Sequence, residues 1–124
     1  MGRKIRILVG DLKVEAELNE SKTAQLVWEA LPIEAKANIW GEEIYFGVPV
    51  KTGIEEGARE VVSQGELGYW PTGHAFCIFF GPTPASRGDE IRAASPVNII
   101  GKLLSDPKVL RKAKDAARIT IEKT

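Results

Sequence analysis

Apolar and polar residues alternate through most of the chain, which predicts a fold built mainly from β-strands. Residues 3–9 alternate in this way, and residues 12–18 do so again after a Gly10-Asp11 turn. Because successive side chains of a strand point to opposite faces, two such runs around a tight turn predict a β-hairpin. Further extended runs cover residues 33–40, 44–50, 59–62, 75–80, 97–104 and 118–122.

Two segments have the pattern of short helices instead. Ala24, Val27, Trp28 and Leu31 follow the i, i+3, i+4, i+7 spacing of one helix face, and Pro32 ends the run. A second helix is predicted after Asp106, because aspartate caps helix N-termini and Pro107 suits the first helical position. Many short strands without a parallel βαβ rhythm indicate a barrel or sandwich, whose ends two helices could cover.

The remaining segments are predicted as loops. Residues 64–73 are rich in glycine and aromatic side chains, and the glycines and proline of residues 68–73 favour a fixed loop. Residues 85–95 have the composition of a mobile polar loop. A length of 124 residues is typical of one domain, which we expect over residues 1–124.

Composition excludes several function classes. The 17 basic and 17 acidic residues balance, so no net field attracts nucleic acid or an anionic membrane. No apolar run approaches the ~20 residues of a membrane span, and the N-terminus does not have the pattern of a signal peptide. One cysteine allows no intramolecular disulfide. These features predict a soluble cytoplasmic protein, and the low cysteine and methionine content suits a heat-adapted one.

Three stretches resemble the cyclophilins in the correct order. They are ELNESKTAQLVWEAL (17–31), GHAFCI (73–78) and NIIGKLLSDPKVLRKAK (98–114). The block GYWPTGHAFCIFFGPTP (68–84) is more specific, because it resembles a small bacterial and archaeal cyclophilin-like family without a settled function. This resemblance implies a mainly β fold, namely a closed eight-stranded cyclophilin-like barrel with two short capping helices.

The polar groups of prolyl isomerisation are not matched. The resemblance implies an arginine in a Phe-His-Arg motif, but this region reads Ala37-Asn38-Ile39-Trp40-Gly41. Ala75 stands where the cyclophilin strand has glutamine, whereas Phe76 matches an aromatic wall of the proline pocket. Arg59 or Arg87 could substitute from another segment, so enzymatic activity stays open and no catalytic residue is assigned.

A ligand site is predicted around the aromatic segment 68–73, since rigid loops commonly carry binding residues. Tyr69, Trp70 and Phe76 would supply apolar surfaces. The polar candidates are Arg59, Glu66, Thr72 and His74.

Other titratable residues have simpler interpretations. The spacing of Cys77 from His74 places the two on opposite strand faces, which argues against a catalytic dyad, so Cys77 is expected to be a buried core cysteine. The pairs Glu42-Glu43 and Glu55-Glu56 are interpreted as solvated charges. No metal site or cofactor is expected, because one cysteine and one histidine are too few for the usual zinc ligand sets.

Three functions remain open at this point. The first is a domain, catalytic or not, whose aromatic cleft binds a small molecule or peptide. The second is a divergent prolyl isomerase that binds proline-containing peptides. The third is a non-catalytic protein-interaction domain. The sequence gives no oligomeric state.

Overall fold

The computed structural model describes residues 2–124, which are mainly β, with ten strands and one α-helix. A 3-10 turn covers Pro71–Gly73, and a 3-10 helix covers Pro107–Lys112. The helix α1 spans Lys22–Ala30. The strands are β1 Arg3–Val9, β2 Leu12–Leu18, β3 Ile33–Lys36, β4 Asn38–Trp40, β5 Glu43–Gly47, β6 Arg59–Val62, β7 Glu66–Trp70, β8 Ala75–Phe79, β9 Ile91–Leu103 and β10 Arg118–Lys123.

Nine strands form one hydrogen-bonded series in the order β3-β10-β1-β2-β9-β7-β8-β5-β4, and β6 pairs with β9. The end strands β3 and β4 follow each other in the chain and are separated only by Ala37. The predicted eight-stranded closed barrel is therefore not confirmed. Among the described strands, the hydrogen-bonded series is open. It also has more strands than predicted, because the extended segment 33–40 divides into β3, which pairs with β10, and β4, which pairs with β5.

The main core lies on one face of this curved sheet. Ile5 and Ile7 of β1 are fully buried, and Val14, Ala16 and Leu18 of β2 continue the same face. The predicted alternation and the Gly10 turn, with φ of 57°, are thus confirmed. The helix α1 packs Ala24 and Val27 against this core, and Ser21 caps it by accepting a hydrogen bond from Ala24 N.

The opposite face of β5, β7 and β8 is also covered. Residues 59–62 and the first part of β9 pair with each other and carry Val62, Ile91, Ala93 and Val97 over this face. There they pack with Cys77 and Phe79 in a second, smaller apolar cluster. The central strands are therefore buried on both sides, which sets the environment of the site described below.

Two loop predictions were wrong. Residues 66–70 form β7, the central strand between β8 and β9, rather than part of a loop. Residues 91–95 begin β9, and the preceding loop is held by buried Thr83, whose hydroxyl donates to the carbonyl of Arg92. The second helix begins after Asp106 as predicted, but it is a 3-10 helix in which the Asp106 carboxylate accepts from Lys108 N at 3.0 Å.

Candidate functional site

A pocket of about 220 Å³ opens between the central sheet and the covering part of β9. Its walls are mostly apolar and aromatic, and one carboxyl and one thiol complete them. The lining residues are Trp40, Glu43, Tyr45, Trp70, Cys77, Ala93, Ala94 and Val97.

Strand alternation brings these side chains to one face. On β5, Ile44 and Phe46 point into the main core, so Glu43 and Tyr45 point to the other side. Glu43 lies opposite Trp40 on β4, and Tyr45 lies opposite Cys77 on β8. Gly68 is the next residue across the sheet, and its lack of a side chain leaves room for Val97, whose Cγ2 would lie 3.0 Å from an added Cβ.

Glu43 is the unusual residue of this pocket. It is only 5% exposed, and its Oε1 is buried without a hydrogen-bond partner. Burial raises the pKa of Glu43 from 4.5 to about 7, although the hydrogen bond from the Cys77 side chain acts in the opposite direction. Because buried polar atoms are normally paired, the unpaired carboxyl oxygen is an available acceptor at the pocket wall.

Cys77 contributes a neutral thiol. It is 1% exposed, and burial together with the nearby Glu43 carboxyl raises the pKa of the thiol well above its usual value. The nucleophile in cysteine chemistry is the thiolate, so a thiol held in its protonated form is a poor nucleophile. The expectation of a buried core cysteine is confirmed.

Trp70 is fixed at both edges of its ring. Its indole Nε1 donates a 2.6 Å hydrogen bond to Ser95 Oγ on β9. Its six-membered ring lies against Gly73, where an added Cβ would be 2.7 Å from Cε3. The 3-10 turn after β7 thus fits against the tryptophan only because residue 73 has no side chain.

Gly73→Ala is therefore expected to displace the Trp70 ring and distort the pocket while the main core stays folded. The indole Nε1–H signal of Trp70 in a ¹H–¹⁵N NMR spectrum should shift, whereas that of Trp28, which lies on α1 with its ring against Arg3 and Lys123, should not. Gly53→Ala is the matched control, since nothing lies within 4 Å of a Cβ at that position. An unchanged Trp70 signal would show that the contact with Gly73 does not position the ring.

Of the aromatic candidates, only Trp70 lines this pocket. Tyr69 points into the main core, where its hydroxyl donates to Val50 O at 2.6 Å and accepts from Thr52 N at 3.4 Å. Phe76 is fully buried and stacks on Phe46 with ring centroids 5.3 Å apart. Alternation along β7 and β8 turns both Tyr69 and Phe76 to the inner face, away from this pocket.

The polar candidates lie outside the pocket. Arg59 and Glu66 form an ion pair at 2.8 Å, and Glu66 also accepts from Ser63 N. Thr72 and His74 are exposed on the turn between β7 and β8. His74 has a left-handed backbone, with φ of 49°, and its carbonyl accepts from Val48 N. The structure does not bring these four residues together with Trp70 in one site.

Sequence reasoning missed Trp40, Glu43 and Tyr45 as site residues. The interpretation of Glu43 as a solvated charge was wrong, as was that of Glu55, whose carboxylate accepts from Thr23 N at 3.0 Å. The available signal was the two-residue spacing of Glu43 and Tyr45, which places their side chains on the same face of a strand. That spacing could not show that a second layer covers this face.

Residues 2–124 contain no group of three or more His, Cys, Asp or Glu side chains arranged to hold a metal ion. In the same part of the chain, no helix has both the length and the apolar character needed to cross a bilayer.

The fold is mainly β, and the pocket lies on the face of its sheet opposite the main core. The family model described as "Cyclophilin-like" matches residues 3–122. The chain belongs to this cyclophilin-like family. Comparison with curated proteins gives no match.

A solved structure supports the same assignment. The chain is similar to the hypothetical protein AF2241 from Archaeoglobus fulgidus, whose structure was determined in solution. The two share 37% sequence identity with a TM-score of 0.85, and the match covers 99% of this chain and 95% of the archaeal one. The predicted membership in a small cyclophilin-like family without established function is confirmed.

Proposed function

We propose that this protein is a small-molecule-binding domain and that its ligand occupies the pocket between Trp40, Tyr45 and Trp70. The observation that carries the proposal is the buried, unpaired Glu43 Oε1 at the wall of an otherwise apolar hollow. Ligand sites typically combine apolar and aromatic walls with a few placed polar groups, and a perturbed carboxyl among them favours a functional role.

The size of the hollow limits the ligand. A volume of about 220 Å³ exceeds the ~150 Å³ of an engineered cavity that binds benzene, so one ring or a compact branched group fits. A folded peptide or a dinucleotide does not fit. The proposed ligand is therefore a small metabolite or one side chain of a larger molecule.

The divergent prolyl isomerase is less well supported. Its apolar surface was expected at Phe76, but that ring is fully buried against Phe46 and cannot contact a substrate proline in this conformation. The protein-interaction domain is also less well supported, because among residues 2–124 the large exposed apolar side chains are Ile54, Val61 and Leu104 only. Neither alternative accounts for the buried carboxyl.

Blocking the pocket should abolish binding. Ala94 lines the hollow but is itself exposed, so Ala94→Phe fills the opening without a buried clash. In a fragment screen followed by ¹H–¹⁵N NMR, hits are expected to shift the indole signals of Trp40 and Trp70, with Trp28 as the internal reference. The Ala94→Phe variant should lose these shifts or weaken binding by at least about tenfold, roughly the value of one well-packed apolar group.

Lys13→Phe on β2 is the control, because it adds the same ring at an exposed position on a strand that does not line the pocket. Its binding should equal that of the unmodified protein. Fragments that bind the Ala94→Phe variant with unchanged affinity, or a complete lack of hits, would contradict the proposed site.

A further inference from the structure

We propose that the ligand of this pocket is a small organic cation, held by the aromatic faces of Trp40, Tyr45 and Trp70 and by the carboxyl of Glu43. This inference rests on the proposed function and adds the chemical class of the ligand. It follows from the combination of three aromatic side chains with one acidic group around a single hollow.

The aromatic side chains favour positive charge. The faces of tryptophan and tyrosine carry partial negative charge, and substituted ammonium groups are bound where several such rings surround them. Trp40 lies on β4, Tyr45 on β5 and Trp70 on β7, so the three rings approach the hollow from different strands. The Ser95 hydrogen bond holds the Trp70 ring in place before any ligand arrives.

Glu43 supplies the complementary charge. A carboxylate in this water-poor environment attracts a cation more strongly than an exposed one does. The lining described here offers no competing cation, since its other members are aromatic, aliphatic or, in Cys77, a thiol. A bound cation would also give the unpaired Glu43 Oε1 the favourable partner that it lacks.

The same arrangement makes binding depend on pH. The pKa of Glu43 is about 7, so its carboxyl is mostly neutral at pH 6 and mostly ionised at pH 8. Among residues 2–124, the titratable side chains that line the hollow besides Glu43 are Cys77 and Tyr45. The burial-raised pKa of the Cys77 thiol keeps it neutral over this range. Cation binding should therefore strengthen by up to about tenfold between pH 6 and pH 8.

The test compares choline with 3,3-dimethylbutan-1-ol, which has the same shape but a carbon in place of the quaternary nitrogen. Affinities are measured at constant ionic strength by NMR titration of the indole signals of Trp40 and Trp70. Choline is expected to bind at least about fivefold more tightly than the neutral alcohol at pH 8, within the range of a cation–aromatic contact. Its advantage should shrink at pH 6.

Two variants separate the contribution of the carboxyl to cation binding from that of the aromatic rings. Glu43→Gln should remove the pH dependence and most of the preference for choline, while affinity for the neutral alcohol stays the same. Tyr45→Leu keeps the carboxyl but removes one ring face, so choline should lose more affinity than the alcohol. Each variant is first checked for cooperative unfolding and for unchanged Trp28 signals.

The outcomes distinguish the two proposals. Equal affinity for choline and the alcohol, or tighter choline binding at pH 6 than at pH 8, would overturn the cation assignment. Fragments that bind in a manner sensitive to Ala94→Phe, without any choline binding, would overturn the assignment but leave the pocket as a ligand site. No shift of Trp40 or Trp70 with any compound would overturn both.

Discussion

Replacing Glu43 with glutamine is expected to raise the free energy of unfolding by about 3 kcal/mol at pH 8.5 and to change it little at pH 4. The pKa of this carboxyl is about 7 in the folded protein and close to 4.5 in the unfolded chain. At about 1.4 kcal/mol for each pH unit between these values, ionising Glu43 in the folded state costs about 3 kcal/mol. Glutamine has the same shape and no charge to bury.

The sign of the pH dependence follows from which state binds the proton. Between pH 4.5 and 7, the unfolded chain releases the Glu43 proton while the folded protein keeps it, so unfolding becomes easier as pH rises. Above pH 7 both states are ionised and the full cost remains. Below pH 4.5 both are protonated, and the difference between Glu43 and glutamine disappears.

Urea unfolding of both proteins at several pH values between 4 and 8.5 measures this difference directly. Glu42→Gln is the matched control, because Glu42 is partly exposed and its ion pair with Arg111, at 3.0 Å, should contribute less than about 1 kcal/mol. A stability gain in Glu43→Gln that is the same at every pH, or a loss at pH 8.5, would show that Glu43 is not a buried carboxyl of raised pKa.

A residue that lowers the free energy of unfolding at neutral pH is expected to contribute to function. Natural sequences tolerate such local conflicts mainly at functional sites, where the unfavourable group acts on a ligand. The unfolding experiment therefore measures how much stability is lost when Glu43 is ionised. The choline titration measures the binding free energy that the ionised carboxyl contributes with a cation. The two experiments share one physical quantity, the pKa of Glu43 in the empty pocket.

The sequence predicted the strands because alternation depends only on neighbouring residues. It identified nearly all of them, the β1–β2 hairpin and the helix start at Asp106. It failed at β7, where Gly68 and Pro71 suggested a loop. Gly68 is instead a position of close packing under Val97, a requirement that arises from tertiary structure alone.

The site was harder to predict for a related reason. Trp70 was identified from its aromatic context. Glu43 alternates with the core-facing residues of β5, so the sequence pattern predicts that it faces solvent. Its burial results from β6 and the first part of β9 folding back over the sheet, more than ten residues away along the chain. Residue patterns report which face a side chain occupies, and the opposite layer decides whether that face meets water.

Asn98→Ala is expected to lower the free energy of unfolding by about 3 to 5 kcal/mol. Asn98 is 1% exposed, and its amide joins three segments of the chain. Its Nδ2 donates to Thr23 Oγ1 on α1 and to Gly53 O, both at 3.0 Å, and its Oδ1 accepts from Glu55 N at 2.8 Å. Alanine would remove this shared partner from all three groups, at a cost of about 1 to 3 kcal/mol for each that water cannot reach.

The same network positions the long segment between β5 and β6. The Glu55 carboxylate accepts from the backbone N–H of Thr23 at 3.0 Å and from its hydroxyl, which links this segment to the first turn of α1. In Asn98→Ala, amide hydrogen exchange should therefore accelerate in residues 51–58 and at the start of α1. The indole signals of Trp40 and Trp70 should stay unchanged, because no member of the network lines the pocket.

Asn38→Ala provides the comparison for this variant. Asn38 also uses its side-chain amide to donate to a backbone carbonyl, that of Tyr45 at 3.1 Å, but it is exposed to water. Its loss should cost no more than about 1 kcal/mol, because water replaces the missing partner. If urea unfolding showed equal losses for Asn98→Ala and Asn38→Ala, the buried amide would not be what joins α1 to the segment before β6. The distinction matters because the three hydrogen bonds of Asn98 join α1, the segment 51–58 and β9, whereas the pocket depends on β4, β5, β7 and β8 and shares only β9 with them.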